Sequence, residues 1–197
     1  MTKSKKEQTV EHITETAKNL FSKNGFRNTT VRMIAKEADC AEGLIHKYFG
    51  GKEGLLNHVM KSSIGASKQK INKHTEDLPS SCTYVKNVIT EGVSRMLESE
   101  DLLRICVGQS LVDEQFALSF QESRSKIETD IKKKLSVLKK EGKLKEEVDI
   151  NALATLISCT VWGLGFCGNS ILKKNRKDLL KSVTLFGEYF SLTDSVH

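Results

Sequence analysis

A chain of 197 residues, 38% hydrophobic and 28% charged, is too apolar to be a disordered polymer and long enough to bury one large or two small cores. Its formal charge of +6 suits a polyanionic partner without requiring one, because a modest lysine excess is common in proteins that never meet nucleic acid. Five cysteines with no Cys-x-x-Cys pair and no signal-like start speak against a secreted disulfide framework and for reduced thiols in a cytoplasm.

A single proline, Pro79, and 13 glycines that punctuate long periodic stretches favour long helices over many short strands. Val10, Ile13, Ala17, Leu20 and Phe21 place one apolar face on a helix from Glu7 to Asn24, which Gly25 stops. Thr29 or Thr30 can cap a two-turn helix carrying Val31, Ile34, Ala35 and Ala38, ending at Asp39-Cys40. A third short helix runs from Ala41 through Tyr48, with Ile45 and Phe49 inward and Glu42, Leu44, His46 and Lys47 outward, and Gly50-Gly51 terminates it. From Lys52 a longer helix carries Leu55, Leu56, Val59 and Met60, then fades into the polar run Ser67 to Asp77, the candidate domain boundary.

Beyond the boundary, helical periodicity covers Ser81–Glu98, Asp101–Val112, Glu114–Glu141, Asp149–Ser170 and Arg176–Leu192, with Asp101 and Asp149 as expected N-caps. The predicted fold class is all-α with about nine helices. The most apolar stretch, Ala152 to Phe166, falls short of the roughly 20 apolar residues that a membrane span requires and is expected to be a buried helix. Lys132-Lys133-Lys134 with Lys139-Lys140 interleaves Ile131, Leu135 and Leu138 at helical spacing, the pattern of a solvated helix face. His12, His58, His74 and His197 show no metal-ligand spacing, and no nucleophile elbow or phosphate loop marks an enzyme.

Residues 30–49 read as two short helices joined by a tight turn, the unit that lays its second helix in a DNA major groove. The positive charge is denser here: residues 1–61 carry 11 Lys/Arg against 7 Asp/Glu, the remainder 20 against 18. Gly43 costs up to about 1 kcal/mol in a helix relative to alanine, so its presence calls for a reason, and close approach to a DNA strand is one.

Ala17-Lys18-Asn19-Leu20-Phe21, Gly25-Phe26, Thr29-Thr30-Val31, Ile34-Ala35, Gly43, Tyr48-Phe49 and Lys52-Glu53-x-Leu55-Leu56 together resemble the N-terminal domain of the tetracycline-repressor (TetR) family. The resemblance covers about residues 7–61. It implies a helix-turn-helix domain over 6–66, with the motif at about 29–48, and a regulatory domain over 67–197 that dimerises and binds a small-molecule inducer. Carried over by position, it assigns Thr30 and Arg32 to phosphates and Glu42, Gly43, Leu44 and Lys47 to base edges. It assigns His46, Tyr48 and Lys52 to the DNA backbone or nearby bases. Asp39 stands where the family usually has a turn glycine, Ala41 where a serine cap is frequent, and His46 where tyrosine is frequent.

The resemblance also implies a homodimer through about 149–170 and 176–192, binding a near-palindromic operator as a repressor. Met96, Cys106, Phe116, Phe120, Trp162 and Phe166 are candidates to line an effector pocket, with core packing as the plain alternative. A regulator answering to a protein partner or to no ligand, and less readily an enzyme, are the competing functions.

Overall fold

The computed structural model describes residues 4–73 and 80–194, with side chains placed for 4–65 and 80–185. Among these the chain is all-α: α1 (Lys5–Asn24), α2 (Val31–Glu37), α3 (Glu42–Phe49), α4 (Lys52–Lys73), α5 (Ser81–Glu98), α6 (Glu100–Ser110), α7 (Glu114–Lys140), α8 (Ile150–Trp162) and α9 (Arg176–Asp194). A π-helical segment, Gly163–Ile171, continues α8. The polar run expected to form the boundary is helical as far as Lys73, and its remainder lies outside the described residues.

The helices gather into two compact units, but not by a single cut at 66/67. Residues 4–65 form the first unit together with Asp101–Glu122, and Ala66–Glu100 forms the second together with the chain from Ser123 onward. The reason lies in the apolar side chains of α6 and α7. Leu102, Cys106 and Phe116 are buried in one cluster with Ile13, Ala17 and Phe21 of α1, Ile34 and Ala35 of α2, Ile45 of α3, and Leu55, Leu56, Val59 and Met60 of α4. Ser119 adds a hydroxyl hydrogen bond of 2.8 Å to the Asn57 side-chain oxygen.

The second unit is built around α5, whose Tyr84, Val85, Val88, Ile89, Val93 and Leu97 meet Ile131, Leu135 and Leu138 of α7, Leu153, Ala154, Ile157 and Val161 of α8, and Leu179 and Val183 of α9. Asp149 caps α8, accepting from the Asn151 and Ala152 amides at 2.8 and 3.2 Å. Asp101, by contrast, is not a cap: α6 starts at Glu100 and Asp101 lies in its first turn.

Two further expectations change. The stretch read as one α-helix to Ser170 widens at Gly163 into π geometry, with the Leu172 amide bonded to the Cys167 carbonyl at 2.9 Å. Glycines give α geometry little local support there, and a Cβ at Gly165 or Gly168 would stand 2.8 Å from Met96 or Leu179, so close backbone approach fixes both positions. The helix expected to be buried is buried on one face only: Leu156 is 63% exposed, and Cys159 and Cys167 lie on the exposed side. By length and composition alone the run Ile150–Ile171 is long and apolar enough to cross a membrane. Its inward face, however, is part of the α5 core.

Candidate nucleic-acid interface

The angle between α2 and α3 is set by short-range chemistry. Thr29, fully buried, donates its hydroxyl to the Gly25 carbonyl at 2.8 Å, closing the turn after α1. Thr30 caps α2, accepting from the Met33 amide at 3.2 Å. The α2–α3 turn passes through Asp39 at φ 47°, the left-handed conformation that glycine more often supplies and aspartate tolerates. The Cys40 amide then returns to the Ala35 carbonyl at 2.9 Å, and burial with the Asp39 charge pushes the Cys40 thiol pKa up.

Ala41 provides no side-chain cap for α3, although its carbonyl accepts from the Leu44 amide at 2.9 Å. At the other end Gly50, at φ 77°, closes α3 with its amide on the His46 carbonyl at 2.9 Å. Just beyond, Gly54 lets α4 cross close behind α3, because a Cβ there would collide with the Phe49 carbonyl. Phe49 packs edge-on against the His58 ring at 5.1 Å. Partial burial and Lys61 hold the His58 pKa low.

Ile45 is buried, while Glu42, Gly43, His46 and Lys47 are exposed along the opposite side of α3; Thr30 and Arg32 are exposed at the start of α2. Leu44, expected to point outward, is half-buried, as is Tyr48. The Tyr48 ring has two ammonium groups near its face, Lys47 at 5.9 Å and Lys6 at 5.8 Å. Lys6 had no signal in the sequence beyond being one lysine among many. Lys52 is held inward: its ammonium donates to the Phe26 carbonyl at 3.1 Å and lies 4.4 Å from the centroid of the Phe26 ring. It therefore braces the α1–α2 turn.

Gly43 is the telling residue. A Cβ built there meets nothing within 4 Å, and its φ is not positive, so neither packing nor backbone conformation within the chain requires glycine. An open helix face with cationic and polar side chains and one backbone stretch stripped of its side chain is suited to a groove floor.

The six residues expected to line one effector pocket divide. Cys106 and Phe116 are buried in the first unit's core and Phe120 packs against it; burial pushes the Cys106 thiol pKa up to about 12. Met96 packs on the second unit's core, and Trp162 meets Phe166 edge-on at 5.4 Å. An open groove of about 630 Å³ lies between α1 and α4, lined by Glu7, Glu11, Glu15 and His58 among others, and none of the six borders it. Among the described residues no group of His, Cys, Asp and Glu is placed to hold a metal ion.

The short helices α2 and α3, their tight turn and the exposed face of α3 define a helix-turn-helix unit. Residues 13–59 match the model of bacterial regulatory proteins, tetR family. The chain is 36% identical over 72 residues to the HTH-type transcriptional regulator HbdR of Aromatoleum sp. (strain CIB), covering 36% of this chain and 31% of that one. It is 26% identical over 159 residues to the fatty acid metabolism regulator protein of Bacillus subtilis, covering 76% and 77%. A crystal structure of the transcriptional regulator FadR from Bacillus subtilis in complex with stearoyl-CoA superposes with a TM-score of 0.73 at 20% identity, over 95% of this chain and 99% of that one. The chain spans less than half the length of several of the curated relatives it matches, HbdR among them. The tetR-family match is thus confined to the DNA-binding segment, residues 13–59, while the likeness to solved structures extends over the whole fold.

Proposed function

We propose that the chain is a cytoplasmic, homodimeric repressor that leaves a near-palindromic operator when a small-molecule effector binds its second unit. The observation that carries the DNA half is Gly43, bare and unneeded by the fold, in the middle of the exposed face of Glu42, His46 and Lys47. On this reading Thr30 and Arg32 position phosphates, Glu42, Gly43, Leu44 and Lys47 meet base edges, and His46 and Tyr48 contact the backbone or nearby bases. Lys52 contributes mainly by bracing the turn. The dimer is supported by apolar surface left open on the α8 and α9 side, Leu156 at 63% and Leu185 at 44% exposed. A two-fold dimer sets two reading helices about one DNA turn apart.

Ligand responsiveness is supported by the stearoyl-CoA complex of the Bacillus subtilis FadR and by a choline complex of a putative regulator from Saccharomonospora viridis, both of this fold. The test is selection of bound sequences from random duplex DNA, repeated with a His46→Ala, Lys47→Ala variant. A palindromic consensus that the variant binds weakly supports the reading; unchanged affinity and preference sink it. Leu156→Glu should convert the dimer to monomer in sedimentation velocity, and a persisting dimer would move the interface elsewhere.

A further inference from the structure

Arg124, near the middle of α7 in the second unit, holds its guanidinium against an aromatic ring. Its guanidinium lies 4.2 Å from the centroid of the Trp162 ring, and burial draws its pKa down to about 10. Glu128, whose charge acts on it, is committed elsewhere: it pairs with Lys132 at 3.0 Å and accepts the Thr155 hydroxyl at 3.4 Å. Among the described residues no hydrogen bond or ion pair reaches the Arg124 guanidinium.

A partly desolvated guanidinium is unfavourable unless its N–H donors find acceptors. The contact with the Trp162 ring uses the charge and none of the N–H donors, and a guanidinium fork can take a carboxylate bidentately. Phe166, edge to face with Trp162 at 5.4 Å, adds a second aromatic ring about one helical turn further along. The site joins a single positive charge to two aromatic rings, which selects a molecule with one anionic head and an apolar body and discriminates against neutral or cationic ones.

We propose that Arg124, Trp162 and Phe166 form the recognition site for an amphipathic carboxylate. The identification of that ligand as the effector rests on the repressor reading above; the site itself does not.

The chain's only tryptophan is Trp162, so its emission reports on the site directly. Full-length protein would be titrated with decanoate and 4-phenylbutyrate, and in parallel with 1-decanol and 4-phenylbutanol, following Trp162 emission and heat. Saturable binding of at least one carboxylate is expected, about tenfold or more tighter than its alcohol, since hydrogen bonds to a charged group contribute about 1.5–3 kcal/mol. Arg124→Gln should abolish that preference and Arg124→Lys, which keeps charge without the fork, should retain part of it. Equal binding of acid and alcohol, no saturable change with either acid, or a preference that survives Arg124→Gln overturns the site. So does loss of dimerisation in Arg124→Gln without ligand, which would give the guanidinium a partner protomer's carboxylate instead. Should Arg124→Gln fail to fold, the acid-against-alcohol comparison on the natural chain still decides. Carboxylate binding that leaves operator affinity unchanged upholds the site and overturns only the repressor reading.

Discussion

Replacing Gly43 with alanine should make the protein more stable and a poorer DNA binder. The added methyl meets nothing within 4 Å and the backbone is not in the left-handed region, so the substitution brings no clash and no strain. In a helix interior alanine exceeds glycine by about 0.8–1 kcal/mol. Gly43 lies in the first turn of α3, where fewer backbone bonds depend on it, and a gain of about 0.5 kcal/mol is expected. For a chain of this size that corresponds to roughly 1–2 °C in melting temperature. On the DNA side the same methyl enters a surface that the reading places against base edges, where overpacking costs about 1–3 kcal/mol, or about 5- to 150-fold in affinity. Differential scanning fluorimetry and fluorescence anisotropy on the selected operator measure the two effects on one preparation. A variant that is more stable and binds equally well would refute the placement of Gly43 against DNA; a less stable one would refute the open space around it.

Lys47→Ala should relax sequence preference with little change in the slope of log affinity against log salt, as a base reader requires, seen by anisotropy across a salt series; a slope lower by about 1 for each reading helix with preference unchanged would make it a phosphate contact. Gly54→Ala should cost about 3 kcal/mol or more, because the obstructing atom is the Phe49 backbone carbonyl and cannot move aside; soluble protein melting as before would contradict that crossing. Cys106 should resist alkylation at pH 8 while exposed Cys159 and Cys167 react, read by intact mass. Burial raises the Cys106 pKa to about 12 from the ordinary thiol value of 9.0. Its contribution to stability is therefore complete below about pH 9 and is lost as pH rises toward 12, so melting temperature should fall over that window, and less so in Cys106→Ala.

The reading helices were legible because their determinants are local. Ile34, Ala35 and Ile45 repeat at helical spacing, Thr30 caps three residues before its partner amide, and Asp39 marks a turn by its own conformational tolerance. Gly43 was noticed as costly, and the structure supplied what the sequence lacked, the empty space around it. What escaped was long-range. Nothing in the pattern of Leu102, Cys106 and Phe116 shows which core they join, since apolar periodicity names a buried face and not its neighbour. The same holds for Lys52, whose partner Phe26 lies 26 residues earlier, and for Arg124, inconspicuous in sequence until Trp162 is seen beneath it. The π-helical turns escaped because glycine permits them without demanding them, and Met96 and Leu179 decide the matter.

The helix α7 has owners on both sides. Its first turns, through Phe116 and Ser119, are built into the DNA-reading core, and from Ser123 onward it is part of the other unit. The reading unit is accordingly not a detachable head: a fragment ending near residue 65 would lose Leu102, Cys106 and Phe116 and expose the apolar floor beneath α1 and α4. Arg124 lies on the second residue after the handover. A molecule grasped there would hold the same continuous helix that carries Phe116 and Ser119.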